Sequence, residues 1–323
     1  MDVLCAFDNV VVKGAGGRPR RLDGLSLEIT SASTALMGPS GSGKTTLVNV
    51  VAGFEKPDSG ALEWSPELAG KGMRRMFWAP SEGGLWPRMT ALEHLDEVAP
   101  RNPRISSSAL LDAMGIEDKK KVFPAFLSKG ERARLAIARA LAANPKLLLL
   151  DEPLLNIAPA ARSKLWKTVL DIAEENGSAL FYATHAPENV VGAAERAIIL
   201  DAGKIVYDGS VDELYHSPPN LALGEALGEL NAFEESEAEF LGGFKPDVFP
   251  VFIRPERISV VTATDGPCVV RLSRFKGATA ETTLENRKTG ARKTIIHRPS
   301  APLRTGAETA VEIKANSGLL KKS

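Results

Sequence analysis

Short apolar runs alternate with stretches of helical period over the first two thirds of the chain, and the alternation stops near residue 216. Residues 2–12 alternate well enough to predict a strand, GAGGRPR (14–20) reads as a turn, and LDGLSLEIT (22–30) as a second strand. STALMG (33–38) is an apolar strand running into glycines, and TTLVNVVAGF (45–54) follows with helical spacing. Residues 73–80, 147–151 and SALFYAT (178–184) read as buried strands, and LLLLD is a near-continuous apolar run. AERAIILDAGKIVYDG (194–209) reads as two strands around an Ala-Gly turn. Helical periodicity is placed over 90–98, 108–114, 130–143, 159–176 and 211–216. Strands alternating with helices predict an α/β fold with a largely parallel sheet.

Beyond 216 the pattern changes. SPPNLALGEALGEL reads as a short helical linker and EESEAEF as an acidic, exposed stretch. From about 246 only short, turn-bounded strand patterns remain: VFPVFIR, ERISVV, CVVRLSRF, ATAETTLEN, KTIIHR and TAVEIK. These predict a small all-β domain, a partly closed barrel. The expected organisation is 1–215, a linker over 216–245, and a β domain over 246–323.

Composition narrows the function classes. Lys+Arg and Asp+Glu both total 40, so no bulk charge draws the chain to nucleic acid or to an anionic membrane. Two cysteines, Cys5 and Cys268, make neither a disulfide framework nor a zinc site, and a reducing compartment is expected. The start, MDVLCAFDNV, has no signal-peptide pattern, and no stretch approaches the roughly 18 apolar residues of a membrane span.

The chemistry begins at GPSGSGKT (38–45), which matches G-x-x-x-x-G-K-[ST] between a strand and a helix. Gly38, Pro39, Ser40, Gly41, Ser42 and Gly43 would turn backbone N–H groups toward a polyphosphate, with Thr46 continuing the cradle into the helix. Lys44 would reach the β and γ phosphates of ATP, and the Thr45 hydroxyl would bind Mg²⁺. LLLLDEP (147–153) ends a buried strand in two acids, at the carboxyl edge where open α/β sheets bind ligands. Asp151 is the expected Mg²⁺ ligand, through water, and Glu152 the general base for an attacking water. His185 follows the strand LFYAT at the same edge and is placed to orient that water or to touch the γ-phosphate. Taken singly, the acids read as a solvated turn and the histidine as a structural residue. Their coincidence with the phosphate loop favours the functional reading.

LSKGE (127–131) precedes an alanine-rich helix a little over 20 residues before LLLLDEP. With GPSGSGKTT and the strand ending in Thr-His, it resembles the ATP-binding cassette ATPases, whose signature is LSGGQ. The resemblance implies that Ser128 and Gly130 present a helix N-terminus to ATP bound on a second chain, so that nucleotide is sandwiched in a dimer. Lys129 and Glu131 replace the first Gly and the Gln of that signature. The lysine suits a phosphate, and the Glu131 side chain is expected to point away from it. FIRPERISVV (252–261), RLSRFKG (271–277) and RTGAETAVEI (304–313) are similar to the regulatory domain called TOBE, an OB-like barrel of solute-importer ATPases. The resemblance therefore implies a P-loop cassette with a helical subdomain over about 85–140. It also implies separate transmembrane permease subunits, a homodimer or a heterodimer, a peripheral place at the cytoplasmic face of the membrane, and no nucleic acid partner.

Four departures from that family stand out. Its loop glutamine that meets Mg²⁺ and senses the permease falls on Ser81, which is shorter and would act through water. Ala158 replaces the aspartate that follows DEP in the family, VVVKGAGG carries no aromatic for adenine, and the signature is altered at Lys129 and Glu131. Trp86 and Met89 in EGGLWPRMT suit either a permease contact or the subdomain core. Two functions follow, a working transport ATPase or a nucleotide-gated regulatory subunit with little turnover. A soluble cassette of DNA repair or translation lacks the coiled-coil insertion, the second cassette and the basic excess.

Overall fold

The computed structural model describes residues 2–68, 75–81 and 83–314. The chain divides into two compact units, Met1–Asp212 and Glu213–Ser323. The first unit contains β1 (Val3–Val12), β2 (Leu22–Thr30), β3 (Thr34–Met37), α1 (Lys44–Val51), β4 (Ser59–Trp64), β5 (Met76–Ala79), α2 (Ala91–Val98), α3 (Ser107–Ala113), α4 (Lys129–Ala142) and β6 (Leu147–Asp151). After these come α5 (Pro159–Asn176), β7 (Ala179–Ala183), α6 (Pro187–Val191), β8 (Arg196–Asp201) and β9 (Lys204–Ser210). α7 (Val211–His216) leads into the second unit, which contains α8 (Leu221–Glu225), β10 (Asn231–Phe233), β11 (Val251–Ile253), β12 (Ile258–Thr262), β13 (Cys268–Phe275), β14 (Ala280–Asn286), β15 (Arg292–His297) and β16 (Glu308–Ile313).

The apolar runs become the central strands. A six-stranded sheet has the order β5-β6-β7-β3-β8-β9, parallel from β5 to β8, with β9 antiparallel at the edge. Leu147, Leu148, Leu149 and Leu150 are each at most 1% exposed, because helices leave neither face of β6 to water. Each such leucine contributes about 2 kcal/mol by burial. The alternating segments pair instead as an antiparallel sheet of order β2-β1-β4. Its inward residues Phe7, Val10, Leu25 and Leu27 share one core with Leu47, Val48 and Phe181. The first two residues of the expected strand 73–80 lie outside the described residues; Met76–Ala79 pair with β6.

Helix ends follow local chemistry. α5 begins at Pro159, which has no N–H to leave unpaired, and stops at Gly177 in the left-handed region (φ 65°). α2 starts on a capping box, Thr90 with Glu93, and α3 on Ser106.

In the second unit an antiparallel sheet has the order β12-β16-β13-β14-β15. Its two edges approach where Arg298 N–H donates to the Ile258 carbonyl at 3.1 Å. The stretch read as a linker is part of this unit's packing: β10 pairs with β11, and Phe233, Phe240 and Leu241 are at most 1% exposed in the same core as Ile258, Val270 and Ile295. The acidic residues around them obscure this in the sequence. EESEAEF forms a short 3-10 helix, Glu235–Phe240, that turns its glutamates outward and Phe240 inward. Arg254 of FIRPE is 3% exposed and ties the segment before it into place. It donates to the carbonyls of Tyr215 (3.0 Å), Gly224 (2.9 Å) and Gly228 (2.9 Å) and lies over the Tyr215 ring at 4.3 Å.

Candidate nucleotide site

The loop 38–45 joins the central strand β3 to α1. Glycine is required at two of its corners. Gly38 has φ 141°, and a Cβ there would fall 2.1 Å from the Leu200 carbonyl oxygen; Gly43 has φ 110°, and a Cβ there would fall 2.4 Å from the Arg21 carbonyl. The loop therefore lies flat against β8 and the start of β2, with Gly41 (φ 82°) at its open crest. Pro39 and Ser40 form the turn that Ser42 N–H closes onto the Pro39 carbonyl at 3.2 Å. Ser42 is 2% exposed and its hydroxyl has no hydrogen-bond partner. Thr45 is exposed and Thr46 buried at the first turn of α1.

Lys44 Nζ donates to the Gly38 carbonyl (2.7 Å) and the Pro39 carbonyl (3.0 Å), so its ammonium curls over the loop. Burial lowers its pKa, while the nearby charges of Glu152 and Asp151 act to raise it. Asp151, the last residue of β6, is pushed up by burial and by Glu152, with Lys44 opposing. The loop lysine and the two acids of β6 thus share one electrostatic neighbourhood.

Glu152 leaves β6 in the left-handed region (φ 47°), a strained conformation for a glutamate, and its N–H donates to the Ala183 carbonyl at 2.9 Å. This turn aims the side chain at the end of β7. Its Oε1 receives the His185 Nδ1–H at 2.7 Å and its Oε2 receives the Thr184 hydroxyl at 3.3 Å. His185 is 62% exposed and Glu152 17%. Thr184 was not singled out from the sequence, although its place before His185 on the same strand end is the signal for it.

Ser128 and Gly130 begin α4. Ser128 Oγ accepts the Glu131 N–H (3.2 Å), and Glu131 Oε2 accepts the Ser128 N–H (2.8 Å). This capping box turns the Glu131 side chain back onto the backbone of Ser128. The Ser128 N–H bond holds the Glu131 carboxyl below its ordinary range. The polar contacts of Ser128 among the described residues run to Glu131 and Arg132, and none runs to the phosphate loop. A Cβ on Gly130 would fall 3.1 Å from the Asn156 carbonyl, which places the signature helix beside the loop that follows Glu152. Ser81 is exposed in the turn after β5.

Sequence reasoning missed two buried side chains that fix the segment after Ser81. Arg139, in α4, is 3% exposed; it donates to the Gly83 carbonyl (2.9 Å) and the Gly84 carbonyl (2.8 Å) and stacks over Trp86 (4.6 Å) and Phe77 (5.5 Å). Burial lowers its pKa. His94, in α2, is fully buried, accepts the Trp86 N–H at Nε2 (2.8 Å) and donates from Nδ1 to the Thr90 carbonyl (2.8 Å). A lone arginine in the run LAIARALAA was the available signal. Trp86 is 37% exposed, packed on His94 by one face.

The ABC transporter family profile matches residues 22–155. The sulfate/thiosulfate import ATP-binding protein CysA 2 of Shewanella oneidensis is 31% identical over 272 residues, covering 75% of this chain and 76% of that protein. The Fe(3+) ions import ATP-binding protein FbpC of Serratia marcescens is 28% identical over 320 residues, covering 91% and 93%. A dimeric ATP-binding cassette solved in a post-hydrolysis state with ADP and phosphate aligns with a TM-score of 0.55 at 25% identity, covering 64% of this chain and 99% of that one. The glycine corners of the loop, the acids that face its lysine and these relatives all lead to one assignment: the chain belongs to the ATP-binding subunits of ABC transporters.

Proposed function

We propose that this chain is the ATP-hydrolysing subunit of a membrane importer, coupling ATP binding and hydrolysis at a dimer interface to solute movement through separate permease subunits. The observation that carries the reading is Glu152, bonded to His185 and Thr184 and sharing the charge neighbourhood of Asp151 and Lys44.

The residues present fit ATP and Mg²⁺. The orphaned Ser42 hydroxyl and the glycine corners form a cradle of donors, and the Thr45 hydroxyl with the Asp151 carboxylate is the hard oxygen set that Mg²⁺ takes. Ser81 would join them through water. When bound, the ion neutralises phosphate charge. Lys44 gives up its carbonyl bonds to the β and γ phosphates, a gain in charge pairing that offsets two neutral hydrogen bonds. Glu152 takes a proton from the attacking water, and His185 fixes the carboxylate and contacts the γ-phosphate. Ser128 and Gly130, at the start of α4, complete the site of a second chain.

The second unit is read as the TOBE-like regulatory domain, following its strand order and the Arg254-Pro255-Glu256 entry. Among the described residues no helix is long and apolar enough to cross a membrane. In this reading a separate permease supplies the span and the chain works at its cytoplasmic face. The relatives above are named for import of sulfate/thiosulfate and of Fe(3+) ions.

The test is phosphate release by the purified chain with Mg-ATP. Turnover that disappears in Glu152→Gln while ATP binding persists supports the reading. Tight binding without turnover, unchanged by added permease, favours the regulatory alternative that Ser81 and Ala158 raise.

A further inference from the structure

The nucleotide site has a base-side residue that neither the phosphate loop nor the acids account for. Arg21 ends the strip 9–21, NVVVKGAGGRPRR, which contains no aromatic residue to stack on a purine. Its backbone is wedged against the loop. A Cβ on Gly43 would fall 2.4 Å from the Arg21 carbonyl oxygen, and a Cβ on Gly203 would fall 2.9 Å from the same atom. Gly203, between β8 and β9, itself donates to the Ser42 carbonyl at 2.9 Å and accepts the Asp23 N–H at 3.0 Å.

The Arg21 side chain is held by its edges. Nε donates to the Lys13 carbonyl at 3.2 Å, Nη1 to Glu55 Oε2 at 3.0 Å, and Nη2 to the other Glu55 oxygen. Nη1 also lies 3.5 Å from Thr46 Oγ1, in the first turn of the phosphate-binding helix. Guanidinium N–H groups all point within the plane, so these bonds occupy the rim and leave the faces. The side chain is 45% exposed. A planar cation fixed by its rim and about half exposed can serve as a stacking platform.

Sheet order gives the direction of the ligand. β6 and β7, which carry Glu152 and lead to His185, lie on one side of β3; β8 and its hairpin lie on the other. With the γ-phosphate beside Glu152, the nucleoside leaves the loop toward Thr46 and the Gly203 hairpin, where Arg21 stands.

We infer that Arg21 is the base-stacking residue of this site, its guanidinium face covering the purine, an inference that rests on the nucleotide-binding reading above. A guanidinium face accepts either purine, so ATP and GTP bind alike.

The test is equilibrium titration of the full chain, in the presence of Mg²⁺, with ATP, GTP and inorganic tripolyphosphate, for wild type and for Arg21→Ala, Arg21→Lys and Arg21→Tyr. Arg21→Ala and Arg21→Lys are expected to weaken ATP and GTP about five- to tenfold while tripolyphosphate stays within about twofold, and Arg21→Tyr to restore the nucleotides. Unchanged tripolyphosphate binding also reports that each variant keeps a folded phosphate loop. The inference is overturned if Arg21→Lys binds ATP as wild type does, or if Arg21→Ala weakens tripolyphosphate as much as ATP. It is also overturned if wild type holds ATP no better than tripolyphosphate, an outcome that leaves the nucleotide reading standing. Wild type that binds none of the three ligands overturns both.

Discussion

Oε1 of Glu152 lies 2.7 Å from Nδ1 of His185, across the gap between the ends of two neighbouring parallel strands. The carboxylate can accept at this position only if Nδ1 carries the proton, which leaves Nε2 as the outward-facing nitrogen. The strained φ of Glu152 and its N–H bond to Ala183 make the geometry a property of the backbone as well as of the side chains. Glu152→Gln is therefore expected to keep the fold and ATP binding while phosphate release falls about 10²- to 10⁴-fold, the range for loss of a general base. His185→Ala should lower turnover with a smaller change in ATP affinity. Steady-state phosphate release beside nucleotide titration measures both.

Gly38→Ala tests whether the loop conformation is set by the strand behind it. The added methyl meets the Leu200 carbonyl at 2.1 Å, and neither the loop nor β8 has room to yield. A loss of at least about 2 kcal/mol is expected from overpacking and the positive φ together. Chemical denaturation followed by tryptophan fluorescence reads it, and ATP binding should fall with it.

Ser128→Ala removes the hydroxyl that receives the Glu131 N–H and should cost about 1 kcal/mol at the start of α4. Glu131→Gln keeps a side-chain oxygen for the Ser128 N–H but removes the charge. If α4 faces the phosphate of a second chain, neutralising that carboxylate favours the closed dimer. Glu131→Gln should then dimerise more readily with Mg-ATP in sedimentation velocity when hydrolysis is blocked by Glu152→Gln. Equal dimer fractions with and without the substitution contradict the placement.

These elements were not equally legible. α5 could be read because Pro159 and Gly177 mark its ends independently of its packing, and β6 because four successive leucines admit only a buried strand in this context. β4 was missed: Ser59–Trp64 is an edge strand of partly exposed residues, so burial imposes little pattern on it. The stretch 231–241 misled for another reason. Its three buried apolar residues are spread among glutamates, and their pairing with β11 and with the core of the second unit is long-range information that a local pattern does not hold. At the site, the phosphate loop and Asp151-Glu152 could be read because backbone chemistry fixes their spacing. Thr184 and Arg139 act through contacts between elements distant in sequence, His94 through a loop bond to Trp86 that helical periodicity does not reveal, and Glu131 depends on a rotamer.

Arg139→Ala should be among the more destabilising substitutions in the first unit. The guanidinium bridges α4 to the Gly83 and Gly84 carbonyls and fills the space between Trp86 and Phe77. Its loss leaves the buried Gly83 carbonyl and the part-buried Gly84 carbonyl without their donor, and a cavity beside two rings, for about 3 kcal/mol. Arg139→Lys keeps the charge but not the fork and should recover less than half of that. Denaturation of the purified variants, followed by the fluorescence of Trp78 and Trp86, gives both values.

His94 makes that same segment sensitive to pH. The groups that face it are the Thr90 carbonyl, Glu93 and Arg139, with Trp86 stacked on the ring. Burial dominates and lowers its pKa, the Thr90 carbonyl and Glu93 oppose, and Arg139 reinforces. Neutral His94 can accept the Trp86 N–H at Nε2, whereas protonated His94 presents a donor to a donor. Because the folded-state pKa lies below the unfolded one, the unfolded chain binds the extra proton first. The stability from His94 is complete above its ordinary pKa of about 6.5 and is lost as pH falls below that value toward the folded pKa. Wild type should therefore lose thermal stability between pH 7.5 and 5.5 more steeply than His94→Gln, which offers an amide oxygen to the Trp86 N–H but does not titrate. Melting curves of the two proteins across that range decide it, and parallel slopes would contradict a His94 pKa lowered by folding.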